Sequence, residues 1–419
     1  MKLAVIGGGS TYTPELMSGL IKNADTLNLK EVFFQDIDEK RLEIVGGLCQ
    51  RMLKESERDF FLKLTSDLQE TLTGADFVLN QIRVGGQEAR RDDTKFCLQH
   101  DIIGQETTGP GGFAKALRTI PVVLKLCEKI KKLAPDSWLI NFTNPAGIIT
   151  ESVVRHSKVK VIGLCNVPIN MKMRAAEILN TEPEDVFLDY VGLNHLSWVR
   201  KVYLRGKEVT EKVLPQFNYS PANNPDQKQE SRFWEGLNMI ANSYLNYFYF
   251  QSETLKKLQQ NEQVRAEEVM KIEKELLKKY KNKKISSPPQ ELEERGGAYY
   301  STIAVNLIRD IYTNRGTVRI VNTENQGAIP DLPPDSVVEV PAVIDARGAN
   351  SLTRKPLEKK IRGLIQQVKC YEELTIAAVI EKDYNKALVA LSNNPLVPSV
   401  IKAEKLLDYF IERHELELY

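Results

Sequence analysis

The stretch Lys2-Leu3-Ala4-Val5-Ile6-Gly7-Gly8-Gly9-Ser10-Thr11-Tyr12-Thr13-Pro14-Glu15 decides the fold class. A short apolar run ends abruptly in three glycines. Thr13-Pro14-Glu15 then opens a helical stretch, with Thr13 as the expected N-cap and Pro14 at the first helical position. Strand, glycine turn and helix N-terminus in succession suit a pyrophosphate, because glycine lets the backbone approach closely and the helix end stabilises negative charge. The third glycine of G-x-G-x-x-G is replaced by Tyr12, so the match to the dinucleotide template is incomplete. Asp36 ends the second apolar run, 31–36, where a carboxylate accepts two ribose hydroxyls and repels a 2′-phosphate. Gly7, Gly8, Gly9, Ser10, Thr11 and Asp36 are therefore candidate cofactor-binding residues, for NAD rather than NADP. By itself such a turn could merely tighten a strand–helix junction; Asp36 favours the nucleotide.

Working outward, apolar runs at 77–82, 138–142 and 161–165 alternate with helical patterns at 38–54 and 116–133. Strands separated by helices of that length form a right-handed, doubly wound parallel sheet. Beyond Cys165 the pattern changes to a helix at 168–180, short alternating runs at 186–208, and a polar Pro- and Asn-rich loop at 215–230. Two long helices are expected at 233–258 and 262–281, a break at 286–289, strands at 318–322 and 337–343, and a helical C-terminal sixty residues. The expected architecture is α/β: a Rossmann-like domain over 1–168, then a mixed α+β domain over 169–419 that completes the substrate and metal site.

The chain has 419 residues, with 57 Lys plus Arg against 56 Asp plus Glu, a net charge of +1. That balance argues against a basic nucleic-acid groove or an acidic tail. A 42% hydrophobic and 27% charged composition is ordinary for a globular protein. The opening residues do not read as a signal peptide, and no apolar run is long enough for a membrane helix. Five scattered cysteines (Cys49, Cys97, Cys127, Cys165, Cys370) suggest reduced thiols and a cytoplasmic protein acting on a small molecule.

Three further constellations could carry chemistry. Residues 104–112 carry four glycines before a long helix, which alone indicates a mobile or closely packed loop. Asn141-Phe142-Thr143-Asn144-Pro145 lies at the carboxyl end of a strand, where open parallel sheets bind ligands, although Asn-Pro also makes ordinary Asx-turns. Cys165 and, in Gly192-Leu193-Asn194-His195, His195 are a thiolate and an imidazole able to hold a divalent metal. Thirty residues apart, they match no short metal motif, and spacing alone favours a buried thiol and a satisfied histidine.

Taken together and in order, these segments resemble the NAD- and manganese-dependent glycosidases of glycoside hydrolase family 4. The resemblance is carried by the Gly-Gly-Gly-Ser-x-Tyr-Thr-Pro opening, Ile-Arg-x-Gly-Gly at 82–86, Gly-Gln-Glu-Thr-x-Gly-x-Gly-Gly at 104–112, Asn-Phe-Thr-Asn-Pro at 141–145, Gly-Leu-Cys-Asn at 163–166 and Gly-Leu-Asn-His at 192–195. Tyr12 is the family's own form of the loop. The family's fold is of the lactate/malate dehydrogenase type.

Within that family, enzymes cleaving α-linked glucoside phosphates carry an acidic aspartate after the metal-binding cysteine; here it is Asn166. Gly-Leu-Cys-Asn-Val-Pro-Ile at 163–169 is similar to the 6-phospho-β-glucosidases. The resemblance implies a Mn²⁺ or another divalent metal on Cys165 and His195, and a catalytic Tyr244 in Asn-Ser-Tyr-Leu at 242–245. It implies substrate contacts from Arg90, Asn144, Asn166 and Arg265. Without it, Tyr244 would be one aromatic among several in a core helix, and each arginine a surface ion pair. The implied cycle oxidises the sugar at C3, removes the C2 proton, expels the aglycone, adds water and returns the hydride. No paired carboxylates are needed. A homodimer or homotetramer, with no nucleic-acid or membrane partner, is expected. Read from the glycine turn alone, the chain could instead be a 2-hydroxyacid or sugar dehydrogenase. Within the family, a different sugar preference (6-phospho-α-glucosidase, galactosidase) is the other alternative. Relatives commonly show Arg-Glu-x-Asp-Glu where this chain has Arg90-Arg91-Asp92-Asp93-Thr94, which bears on the fine sugar preference.

Overall fold

The computed structural model describes residues 1–218, 227–295, 299–352 and 355–419. Six parallel strands, β1 (Lys2–Ile6), β2 (Glu31–Gln35), β3 (Phe61–Thr65), β4 (Phe77–Asn80), β5 (Trp138–Asn141) and β6 (Lys160–Gly163), lie in the order β3-β2-β1-β4-β5-β6. The chain reverses its direction of winding between β1 and β4, the crevice where doubly wound sheets bind ligands. The inner strands β1, β2, β4 and β5 are largely buried on both faces, which is why they read as apolar runs rather than alternating ones, whereas the edge strand β3 is partly exposed throughout. Leu3 and Val5 face Phe34 and Leu79 in one core layer, while Ala4 and Val78 face Leu117 and Ile120 in the other. Each fully buried aliphatic side chain contributes about 1.5–3 kcal/mol.

A second, antiparallel sheet follows: β7 (Val186–Leu193) and β8 (Leu196–Leu204) form a hairpin, flanked by β9 (Lys207–Glu208) and β10 (Ile240–Ala241). The later strands β11 (Thr317–Glu324), β12 (Val337–Asp345) and β13 (Gly348–Ser351) then return to the first sheet. They extend it antiparallel beyond β6 to nine strands, through the pair Asn322 and Gly163. Three helices, Lys359–Glu381, Tyr384–Asn393 and Val400–His414, close the chain, as expected.

Several expectations need correction. Thr13 is not an N-cap: it lies within the helix Thr13–Asn23, behind Tyr12, and its hydroxyl accepts from Gln81 Nε2 at 3.0 Å. The 104–112 segment is not merely a loop before a helix at Ala116, because the helix begins at Pro110. The 215–230 loop is shorter than expected. A helix, Thr210–Asn218, runs through Pro215, another starts at Gln227, and 219–226 lie outside the described residues. The sequence reading passed over β3, whose register with β2 is read only from the folded sheet. The single helix expected at 233–258 is broken. Helix Gln227–Leu237 ends at Asn238 in a left-handed conformation, Ile240 and Ala241 pair with Val199 and Trp198, and only Gln251–Gln260 resumes a long helix. The reversal stacks Trp234 edge-on to Tyr249 at 5.8 Å and leaves Tyr244 outside any long helix.

Candidate active site

A cavity of about 1290 Å³ runs from the glycine turn to the end of β6. That exceeds the roughly 300–1,000 Å³ of ordinary small-molecule pockets, so it has room for a dinucleotide and a sugar phosphate together.

At one end, Gly7 adopts φ +89°, a conformation that side chains rarely take, and its N–H and that of Gly8 both donate to Gln35 O. The loop is tied to Asp36, whose Oδ2 accepts from Gly9 N at 2.8 Å and whose Oδ1 accepts from Asp38 N at 3.0 Å. Gly7, Gly9, Ser10 and Asp36 line the cavity; Gly8 and Thr11 do not. A Cβ on Gly8 would strike Phe34, so Gly8 serves close packing. Thr11 is fully buried, donates to Glu273 Oε1, and its carbonyl accepts from Tyr280 Oη at 2.8 Å. Glu273 also accepts from Arg41 and Arg295, and Arg41 Nε donates to Gly9 O. Burial opposes the charge on Glu273, but Arg295 and Arg41 hold its carboxyl down at about 2.

At the other end, three segments distant in sequence meet. Cys165 follows β6 and stands just before the helix Val167–Leu179, whose first N–H, that of Val167, donates to the sulfur at 3.4 Å. Such a position favours a thiolate. His195 sits at the tip of the β7–β8 hairpin with φ +64°, and its Nε2 lies 3.2 Å from Cys165 Sγ. Burial pushes the thiol up and holds the imidazole down at about 3, so without a bound cation both groups are neutral. Tyr244 lies in the one-turn helix Ser243–Leu245, stacked on His195 with ring centroids 3.8 Å apart. Its backbone N–H is capped by Asn242 Oδ1 at 2.8 Å. Burial raises the phenol pKa first, and Cys165 and then Glu106 add to it.

The donor set fits a divalent metal: a soft sulfur and an imidazole nitrogen close enough to share one ion, on a cavity wall that leaves room for substrate oxygens. Nδ1 of His195 is buried and has no hydrogen-bond partner among the described residues; with Nε2 facing a metal it would carry the ring proton. No group of three or more His, Cys, Asp or Glu side chains able to hold a metal occurs among the described residues, so Cys165 and His195 would be its two protein ligands of these types.

Arg90, Asn144, Asn166 and Arg265 also line this cavity. Arg90 Nη2 pairs with Glu106 at 3.1 Å, and Asn144 precedes a cis peptide bond to Pro145. Arg265 is exposed, paired with Glu268 and bonded to the carbonyls of Glu294 and Arg295. Asn166 is the N-cap residue of helix Val167–Leu179, and its side chain makes no cap hydrogen bond.

Three cavity residues were assigned no role in the sequence. Glu106, 13% exposed, gathers Arg83, Arg90 and Lys115. Burial opposes its charge, but Arg83, Lys115 and Arg90 keep its carboxyl well below the usual range. Burial and the charge of Arg83 bring Lys115 down to about 7. Glu106 and Arg83 fall inside the recurring segments 104–112 and 82–86, a signal that was present. Lys115 had none, because a buried lysine on an apolar helix looks like any other lysine.

Comparison with known proteins identifies the family. The model of the family 4 glycosyl hydrolases matches residues 2–181, and that of their C-terminal domain matches 190–397. The chain is 42% identical over 414 residues to a 6-phospho-β-glucosidase of Thermotoga maritima, covering 98% of each. A solved structure of the 6-phospho-β-glucosidase from Thermotoga maritima, with manganese, NAD⁺ and glucose-6-phosphate, superposes with a TM-score of 0.94 at 41% identity over the whole of both chains. Malate dehydrogenase from Plasmodium falciparum has the same fold (TM-score 0.57, 14% identity, covering 91% of this chain and 99% of that one). The chain thus belongs to the family 4 glycosyl hydrolases.

Proposed function

We propose that this chain hydrolyses 6-phospho-β-glucosides, such as phosphorylated cellobiose-type disaccharides or aryl β-glucosides, with NAD⁺ and Mn²⁺ or a similar divalent metal. The observation that carries the reading is the meeting of Cys165, His195 and Tyr244 on the wall of one cavity that also reaches the Gly7–Gly9 turn. Relatives at this level of identity named 6-phospho-β-glucosidase support it.

Bound here, NAD⁺ supplies a reversible hydride acceptor, and the divalent cation polarises a sugar carbonyl and favours the ionised tyrosine. The chain's own residues do the rest. Gly7, Gly9, Ser10 and Asp36 orient the dinucleotide, with Gly8 and Thr11 packing the turn from behind. Arg90 and Arg265 present guanidinium groups suited to a phosphate or vicinal oxygens, and Asn144 adds an amide beside them. Cys165 and His195 hold the metal. Tyr244 takes the C2 proton as general base; burial first, then Cys165 and Glu106, raise its phenol pKa and so make its phenolate more basic. Asn166 cannot donate a proton to the aglycone, which fits β-linked substrates better than α-linked ones. All five cysteines are unpaired, which supports a reducing, cytoplasmic location.

The test is cleavage of paired 4-nitrophenyl α- and β-glucoside 6-phosphates, with and without NAD⁺ and Mn²⁺. The β-anomer should be cleaved only with both cofactors and without stoichiometric NADH, and deuterium at C2 should slow turnover. Efficient α-cleavage or cofactor-independent activity overturns the reading.

A further inference from the structure

Behind the site lies a carboxylate that takes no part in binding or proton transfer. Glu339, the third residue of β12, is fully buried and lines no part of the cavity. Its hydrogen-bond partners among the described residues include no cation. Oε2 accepts from Tyr190 Oη at 2.7 Å, and Oε1 accepts from Asn194 Nδ2 at 3.1 Å and Asn322 Nδ2 at 2.8 Å.

A carboxylate only accepts, so it dictates the direction of every bond around it. Tyr190 gives its one proton to Glu339, so the 2.5 Å contact between Tyr190 Oη and Ser197 Oγ must carry the serine's proton. Ser197 Oγ is then left to accept from Asn242 Nδ2 at 2.7 Å. That turns the opposite end of the Asn242 amide, Oδ1, toward Tyr244 N. The second arm fixes the Asn194 amide, which adjoins His195. The third arm is Asn322, whose backbone pairs with Gly163, two residues before Cys165. Donors from the β7–β8 hairpin and from β11 thus converge on one carboxylate, which through them reaches the surroundings of Tyr244, His195 and Cys165.

We propose that Glu339 is the positioning residue of this site, holding the Asn194–His195 turn, the Cys165 strand end and the Tyr244 helix in one frame. The proposal rests on the roles given above to Cys165, His195 and Tyr244. Partners in this outer position orient ligands and tune the metal, and their loss commonly lowers metal affinity about 10–100-fold.

Two variants and two readouts test it. Glu339→Gln keeps the volume but places an N–H₂ against donors; Ser197→Ala cuts only the arm to Tyr244. Mn²⁺ affinity is measured without substrate, from the electron paramagnetic resonance of free Mn²⁺. The Hε1 proton resonance of His195, one of only four histidines, reports its stacking on Tyr244 in metal-free protein. Glu339→Gln should weaken Mn²⁺ binding about 10–100-fold and shift the His195 resonance, with NAD⁺ affinity unchanged. Ser197→Ala should shift the resonance and lower kcat on 4-nitrophenyl β-glucoside 6-phosphate at constant KM, leaving Mn²⁺ affinity intact. A wild-type resonance and wild-type Mn²⁺ affinity in Glu339→Gln overturn the proposal. If that variant does not fold, a wild-type resonance and kcat in Ser197→Ala overturn it instead. Failure of the unmodified enzyme to bind Mn²⁺ would refute the metal assignment, while the metal-free resonance would still decide the positioning role.

Discussion

At the glycine-turn end of the cavity, charge is present and paired: Glu273 sits between Arg41 and Arg295 and stays ionised to about pH 2. At the end of β6, burial suppresses charge on Cys165, His195 and Tyr244 alike. The first end is preassembled, because its ion pairs exist in the folded chain whatever is bound. On the roles proposed above the second is poised: its imidazole is already neutral, whereas its thiol and phenol must each lose a proton before they serve as a metal ligand and a base. The binding end is built for permanence and the reacting end for response.

The largest effect that would sharpen this contrast is at Tyr244. Tyr244→Phe should lower kcat by about 10²–10⁴-fold, the usual worth of a positioned base, with NAD⁺ affinity unchanged in a fluorescence titration. Near-normal turnover would remove Tyr244 from the chemistry.

Next comes Glu273. Its folded pKa is depressed from 4.5 to about 2, so its contribution to stability is present above pH 4.5 and is lost as pH falls toward 2. Glu273→Gln should cost about 3 kcal/mol at pH 7 in urea unfolding, and the gap from wild type should close between pH 4.5 and 2. A gap independent of pH would mean that the pairing does not stabilise the carboxylate.

Asp36→Ala removes a charged acceptor from the turn and should raise the NAD⁺ Kd by about tenfold or more, with kcat recovering at saturating NAD⁺. A fall in kcat that saturation does not relieve would erase the division between the two ends. Smallest of all, Lys278→Ala breaks an exposed i,i+3 pair with Glu275 and should change stability by less than about 0.5 kcal/mol and activity not at all.

The binding end was legible because its parts are contiguous. A strand, three glycines and a helix start occupy consecutive residues, and the carboxyl of Asp36 follows one strand later. The reacting end was legible only through the resemblance. The expected helix at 233–258 would have buried Tyr244 in a core, and what prevents it is the pairing of Ile240 and Ala241 with β8, a contact between segments some forty residues apart. Lys115 and Glu339 gave no signal, since a charge read in a sequence looks solvated until the fold shows what surrounds it.

The sequence by itself determined the alternation of strands and helices, the glycine turn and the acidic strand end, because each depends on backbone preferences and periodicity within a few residues. Tertiary structure alone decided that β11–β13 return to complete the first sheet, that Cys165 and His195 stand 3.2 Å apart, and that Glu339 lies behind them. Those placements depend on burial and on hydrogen bonds between distant segments, whose energies exist only once the chain has packed.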